Sequence, residues 1–228
     1  KPYQDLLDDP HNTIDFDEAT DELIEQRVSQ VGADGRLIWD KNGSVYYVNL
    51  TEKLLATMLS KLSNFIPEGG IWMNTQRPEW NDANNALVGY GVSMVTLYYT
   101  RRYQQYLLDS FANTELEEVA ISEEIDALLR SINSTFEDNK QLLAGKINDA
   151  DRKLVVDALG EAGGDFRSSV YDNGFSGNRV MLKTADLIAF LKLSLEYIDH
   201  TIEANRREDG LYHAYNLMTA KDDSVEVN

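Results

Sequence analysis

The sequence predicts a mainly α-helical fold with one small β-hairpin. Apolar residues recur at helical spacing through several segments of ten residues or more, and glycine and proline cluster between those segments. Strand-like runs are confined to one stretch around residues 36–48.

Residues 17–31 place Leu23, Ile24, Arg27, Val28 and Val31 on one stripe, with acids in the first turn where the helix dipole favours them. Gly32 and Gly35 end that segment. Arg36-Leu37-Ile38-Trp39 and Val45-Tyr46-Tyr47-Val48 flank Asp40-Lys41-Asn42-Gly43 and read as a hairpin closed by an Asn-Gly turn. Thr51 is the candidate N-cap of a helix carrying Leu54, Leu55, Met58, Leu59 and Leu62, and Pro67 with Gly69-Gly70 closes it. Residues 68–82 show no helical period and read as a long structured loop, of the kind that usually carries function.

Residues 84–110 read as one long helix, apolar nearly all round at first, with Leu87, Val88, Val92, Val95, Tyr99 and Tyr106 beside the small Gly89, Gly91 and Ser93. Such a helix is expected to be covered on both sides. Residues 122–143 predict an amphipathic helix on Ile125, Leu128, Leu129, Ile132 and Phe136, and residues 149–159 another, ended at Gly160. Gly163-Gly164 and residues 171–177 read as loops, residues 183–206 as the last strong helix, and residues 211–215 as extended chain. The whole reads as a single helical domain over residues 1–228, or as a fragment of a larger one, because Lys1 opens without a methionine and no terminating element precedes Asn228.

The 228 residues, 43% of them hydrophobic, suffice for a real core. Against 21 basic residues stand 39 acidic ones, a formal charge of -18 that repels phosphate backbones and anionic lipid surfaces. Nucleic-acid and membrane partners are therefore not expected, and the apolar stretch at residues 86–99 is too short to span a bilayer. The chain has no cysteine, which removes thiol chemistry and disulfides and leaves the compartment open.

Residues 69–85 are the most informative segment. Trp72, Trp80, Arg77, Glu79, Asp82 and several carboxamides fall together just before an apolar helix. Indole faces stack on the apolar faces of sugar rings, amides and carboxylates bond hydroxyls, and a carboxyl beside an indole is desolvated toward the protonated form a general acid needs. The plainer alternative makes Trp72 and Trp80 core anchors and Asp82 or Asn84 a helix cap.

Trp80-Asn81-Asp82-Ala83-Asn84-Asn85 resembles the Trp-Asn-Asp-Gly-x-Asn signature of the cellobiose and chitobiose phosphorylases and kindred (α/α)-toroid glycosidases. The following small-residue helix and residues 205–216 extend the resemblance more loosely. It implies helical hairpins of an (α/α) toroid, here a partial one, and cleavage or transfer of a glycosidic bond. By that resemblance Asp82 is the catalytic acid and Trp80 stacks on or orients the sugar. Trp72, Arg77, Asn81 and Asn84 are then expected to shape the subsite, with Glu79 as the second carboxylate. The sequence departs from the signature at Ala83, where glycine is usual, and by Pro78-Glu79 before the tryptophan; it also lacks a recognisable phosphate-binding segment, although phosphate is a candidate co-substrate. The implied partners are an oligosaccharide or glycoside and the remaining toroid segment of the same protein.

Glu79 and Asp82 are too close in sequence to form the whole acid and base pair of an inverting enzyme, so the base is sought near Glu208 and Asp209 or elsewhere in the protein. His213 lies in an aromatic stretch suited to bonding a ligand, with a packed or surface role as its alternative. His11, His200 and His213 lack metal-ligand spacing, and no cofactor is expected. Asp15-Phe16-Asp17-Glu18 reads as a helix cap. The competing overall reading is a non-catalytic helical module for sugar binding or protein assembly.

Overall fold

A computed structural model describes the backbone of residues 1–74 and 82–228 and the side chains of residues 1–74 and 85–228. The described residues form a mainly helical body with a small antiparallel sheet on one side. The helices are α1 (Tyr3–Asp8), α2 (Glu18–Val31), α3 (Leu50–Leu62), α4 (Asp82–Leu87), α5 (Met94–Ala112), α6 (Glu123–Asp138), α7 (Asp149–Asn173) and α8 (Thr184–Ala204). Strands β1 (Phe65–Ile66), β2 (Gly70–Trp72), β3 (Gly91–Ser93), β6 (Tyr215–Ala220) and β7 (Val225–Val227) pair antiparallel in the order β1-β2-β3-β6-β7. Strands β4 (Glu118–Ser122) and β5 (Arg179–Lys183) make a separate ladder.

The predicted apolar stripes of α3, α6 and α8 are the core. Leu55, Leu59 and Leu62 of α3 meet Ile125, Ile132 and Phe136 of α6, and Leu187, Phe190 and Leu191 of α8 join the same cluster. Helix α5 packs along α8 and α6 along α7. A smaller cluster of Tyr3, Leu6, Ile66, Trp72, Val92, Val156, Met218 and Val225 seals the sheet against α1 and α7.

Caps match the local chemistry. Asp17 accepts from the Thr20 N–H, Asn49 from Glu52, Ser93 from Thr96, and Asn148 from Ala150 and Asp151, each at a helix start whose first amide groups lack partners of their own. Asn49 therefore takes the capping place expected of Thr51.

Four expectations are corrected. The long helix over residues 84–110 is instead α4, a turn, β3 and α5. Gly89 turns the chain at φ 87, and a Cβ on Gly91 would lie 2.5 Å from the Leu87 Cβ, so small residues there serve a tight reversal. Helix α7 does not end at Gly160 but runs through it, and through Gly163 and Gly164, to Asn173. A Cβ on Gly160 would lie 2.1 Å from the Tyr3 ring and one on Gly163 would lie 2.8 Å from Ser63, so these glycines let neighbours approach the helix backbone. The stripe of α2 is not core: none of its residues is buried. Its neighbouring hairpin reduces to a single bridge between Trp39 and Val45, while Tyr46 packs on the body instead, stacking on Phe175 at 4.8 Å and sharing a hydrogen bond with the Ser122 hydroxyl at 2.8 Å.

The β4–β5 ladder is fastened to α3 through a buried charge. Glu52, 1% exposed, accepts from the Ser122 backbone N–H at 3.1 Å, from the Ser122 hydroxyl, and from Arg179 at 2.5 Å. Among the described residues no helix is long and apolar enough to cross a membrane.

Two buried phenols make the fold sensitive to alkali. Tyr197 stacks on Phe136 at 4.4 Å and donates to the Phe136 carbonyl at 2.8 Å; burial, then nearby Glu137 and Glu196, holds its pKa well above the ordinary 10.0. Tyr3 donates to Asp157 at 2.9 Å and is raised by burial first and by the Asp157 charge second. A group whose folded pKa is raised contributes stability that is complete below its unfolded pKa and lost as pH climbs toward the folded one. Alkaline titration is thus expected to unfold the chain above pH 10.0, with these two phenolates appearing in the ultraviolet spectrum only as it unfolds. Tyr197→Phe should move that transition to higher pH, and an unmoved midpoint would show that this phenol does not drive it.

Candidate functional site

The sheet separates two places of interest. Strand β2 begins at Gly70, beside a cavity, and ends at Trp72, from which the chain leads toward residues 75–81. The root of that loop is pinned: Trp72 N–H donates to Asn64 O at 2.8 Å, Met73 N–H to Gly91 O at 2.9 Å, and Gly89 N–H to Met73 O at 2.8 Å. Asn74 Nδ2 adds a bond to Asn64 Oδ1 at 2.6 Å.

Arg77, Glu79, Trp80 and Asn81 lie outside the described residues, as do the side chains of Asp82 and Asn84. The backbone makes Asp82 the first residue of α4. Trp72 takes the core role. It is 4% exposed within the smaller apolar cluster and donates its indole N–H to Gly89 O at 2.9 Å, so it offers no open face for a sugar ring.

His213 is exposed on the wall of a cavity of about 570 Å³ at the other end of β2. Glu68, Lys146, His200, Asn205 and Asn216 line it with His213. The volume lies in the range of small-molecule sites. Its floor begins with Ile66-Pro67-Glu68-Gly69, a turn closed by Gly69 N–H to Ile66 O at 2.9 Å. Proline second and a positive φ third are the marks of a type II turn, where glycine is the usual third residue. Here the third residue is Glu68, at φ 60. Left-handed backbone at a non-glycine residue costs on the order of 1–3 kcal/mol and persists where surroundings hold it.

The holding groups are on the page. The Glu68 N–H donates to Thr201 Oγ1 at 3.0 Å, and its carbonyl accepts from Asn205 Nδ2 at 2.8 Å. Its carboxylate accepts from the Ile147 N–H at 2.9 Å and from Arg152 at 3.0 Å, with His200 Nε2 at 3.3 Å. Asn205 spends its amide hydrogens on the Glu68 and Thr201 carbonyls, which turns its oxygen toward Asn216 Nδ2 at 2.7 Å. Asn216 Nδ2 also donates to Gly69 O at 2.7 Å.

These bonds divide the cavity chemically. Glu68, Arg152 and Asn205 are engaged with the protein, whereas the Asn216 amide oxygen, the His213 ring and the Lys146 ammonium have no partner among the described residues. One acceptor and two donor groups on a polar wall suit a ligand that both gives and takes hydrogen bonds, such as one carrying several hydroxyls. Glu208 and Asp209, where a base was sought, do not line the cavity, and Asp209 pairs with Arg207 at 2.8 Å. Among the described residues no three histidine or acidic side chains gather as a metal set.

Sequence reasoning missed Glu68, although Pro67-Glu68-Gly69-Gly70 carried a signal: a proline-led turn with a charged residue in a glycine position. No model of a known protein family matches the chain, and no curated protein matches it.

Proposed function

We propose that the chain is a carbohydrate-active helical domain, part of an (α/α) toroid, that cleaves or transfers a glycosidic bond with Asp82 as general acid. What supports the reading is the resemblance of Trp80-Asn81-Asp82 to the toroid signature, together with Asp82 standing as the first residue of α4. Trp80, Arg77, Asn81 and Asn84 form the sugar subsite, and Glu79 is the neighbouring carboxylate. Water or phosphate is the acceptor. The net charge of -18 fits a neutral substrate. Asp82→Asn tests the reading: it should abolish cleavage of glycosides with poor leaving groups, and wild-type turnover by a folded Asp82→Asn protein would overturn it.

A second reading, sugar binding without cleavage, draws on the cavity. Its buried carboxylate, Glu68, is engaged by Arg152, Ile147 and His200, while Asn216, His213 and Lys146 are open to a ligand. His213→Ala is expected to weaken oligosaccharide binding by about threefold to tenfold, the effect of one or two hydrogen bonds, in isothermal titration calorimetry. Unchanged affinity would remove the cavity from the binding surface. Binding by a protein that turns over no glycoside would favour this second reading over the first.

A further inference from the structure

Helix α2 and the turn that follows it, residues 32–36, form a lobe that packs chiefly on itself. Its internal ties are Arg27 over the Trp39 ring at 5.0 Å, Trp39 Nε1 to Asp34 O at 3.0 Å, and Arg36 to Glu25 at 3.5 Å. No residue of α2 is buried. Glu18, Glu22 and Glu25 recur at i, i+4 and i+7, a stripe about 10 Å long. Phe16, just before the Asp17 cap, is 77% exposed. A helix of this length owes most of its stability to tertiary packing, and this one has little.

The opposite chemistry lies on α3 and α5. Tyr103 Oη donates to Leu54 O at 3.1 Å, while Lys61 and Tyr99 share the wall of one shallow pocket, so the two helices run antiparallel. Their outer face carries Lys53 and Lys61 from α3 and Tyr99, Arg102 and Tyr106 from α5, with the two tyrosines 65% and 66% exposed. Arg102 lies 5.9 Å from the Tyr99 ring centroid, and Lys53, Lys61 and Arg102 have no acidic partner among the described residues. In a chain of net charge -18, three unpaired cations beside two bare tyrosines are a local reversal of sign. Tyrosine and arginine are the residues most enriched where protein interfaces derive their energy. Lys53 and Lys61, two turns apart, are separated by about 12 Å along α3, close to the length of the acidic stripe on α2.

We propose that the α3–α5 face binds the acidic α2 lobe of a second copy of this chain. Glu18, Glu22 and Glu25 then lie against Lys53, Lys61 and Arg102, and Phe16 seats in the shallow pocket between Lys61 and Tyr99. The contact is between different surfaces of the two copies, so each copy carries one lobe and one receiving face.

That asymmetry gives the test. Sedimentation velocity of the wild-type chain over a concentration series should show association. Lys53→Glu/Lys61→Glu spoils only the face, and Glu18→Lys/Glu22→Lys spoils only the lobe. All four positions are exposed, and circular dichroism checks that both variants fold. Each variant alone should associate at least about tenfold more weakly, because like charges now face one another. Mixed, they should associate again, since the face of one and the lobe of the other are intact. A wild-type chain that stays monomeric throughout the series, or variants that associate as well alone as mixed, would overturn the proposal.

Discussion

Arg152→Met is expected to destabilise the chain by about 3–5 kcal/mol, the cost of removing one partner from a buried ion pair. For a chain of this size that lowers the thermal midpoint by roughly 10 °C. The guanidinium is 3% exposed and all its N–H groups are used. Nε donates to Pro67 O at 2.9 Å, one terminal nitrogen to Val225 O at 2.8 Å and to Asp149, the other to Glu68 at 3.0 Å and to Ile147 O at 2.9 Å. One side chain thus joins the β1–β2 turn, the approach to α7 and strand β7. Methionine keeps the reach but takes the guanidinium donors from three carbonyls and leaves the Glu68 carboxylate buried without its cation, bonded only by the Ile147 N–H and His200. Arg152→Lys should fail nearly as badly, because an ammonium offers three donors in place of a planar set of five. The partner change is informative: Glu68→Gly relieves the left-handed backbone strain while removing the carboxylate. Arg152→Met/Glu68→Gly should therefore be less destabilised than the two single changes summed, a coupling expected of residues in one network. Urea unfolding of the four proteins measures it, and an Arg152→Met protein within about 1 kcal/mol of wild type would show that the network contributes little.

Where periodicity and burial coincide, the sequence was readable. Leu55, Leu59 and Leu62, then Ile125, Ile132 and Phe136, then Leu187 and Leu191 are spaced for one helix face each, and each face is covered. The misread elements have particular causes. Gly160, Gly163 and Gly164 look like helix breakers along the chain, but Tyr3 and Ser63 press on the helix there, and contacts between residues this distant have no local signature. Strands β4 and β5 lie 61 residues apart in register at Ala120 and Met181, each abutting a helix start, so neither reads as a hairpin. Leu23, Ile24 and Val28 give α2 the pattern of a core helix without a cover among the described residues, because periodicity records what a face can do and not what meets it. At the candidate sites the same limit applies. His213 was visible as an aromatic-flanked histidine, but its cavity is walled by residues far apart in the chain, Glu68, Lys146 and His200 among them, and that gathering has no local signature. Trp72 was singled out for its chemistry and serves packing, since in β2 an indole whose N–H meets Gly89 O is a well-satisfied core residue.

Asp82→Asn is expected to lower the rate of glycoside cleavage by about 10² to 10⁴, the range lost with a general acid. A sugar oxygen leaving a carbon is a poor leaving group until it is protonated, so the acid must hold its proton near neutral pH and give it up as the bond breaks. A carboxyl at the first residue of a helix, next in sequence to Trp80-Asn81, is open to two opposing influences on that proton. The partial positive charge at a helix start favours the carboxylate, whereas desolvation of the kind the proposed site requires, against an indole, would favour the acid. General-acid catalysis requires the second to prevail, and a bell-shaped pH profile whose alkaline limb, where the acid loses its proton, lies above the ordinary carboxyl range would show that it does. Asparagine keeps the shape and can still cap the helix, so a purely capping Asp82 predicts little change on substitution. The two roles separate on the leaving group. With an alkyl glycoside the Asp82→Asn protein should be nearly inactive; with an activated aryl glycoside, whose leaving oxygen needs no proton, much of the activity should return. Glu79→Gln run beside it assigns the acid between the two carboxyls: if Glu79→Gln shows the leaving-group dependence and Asp82→Asn does not, the proton comes from Glu79 and the assignment to Asp82 fails.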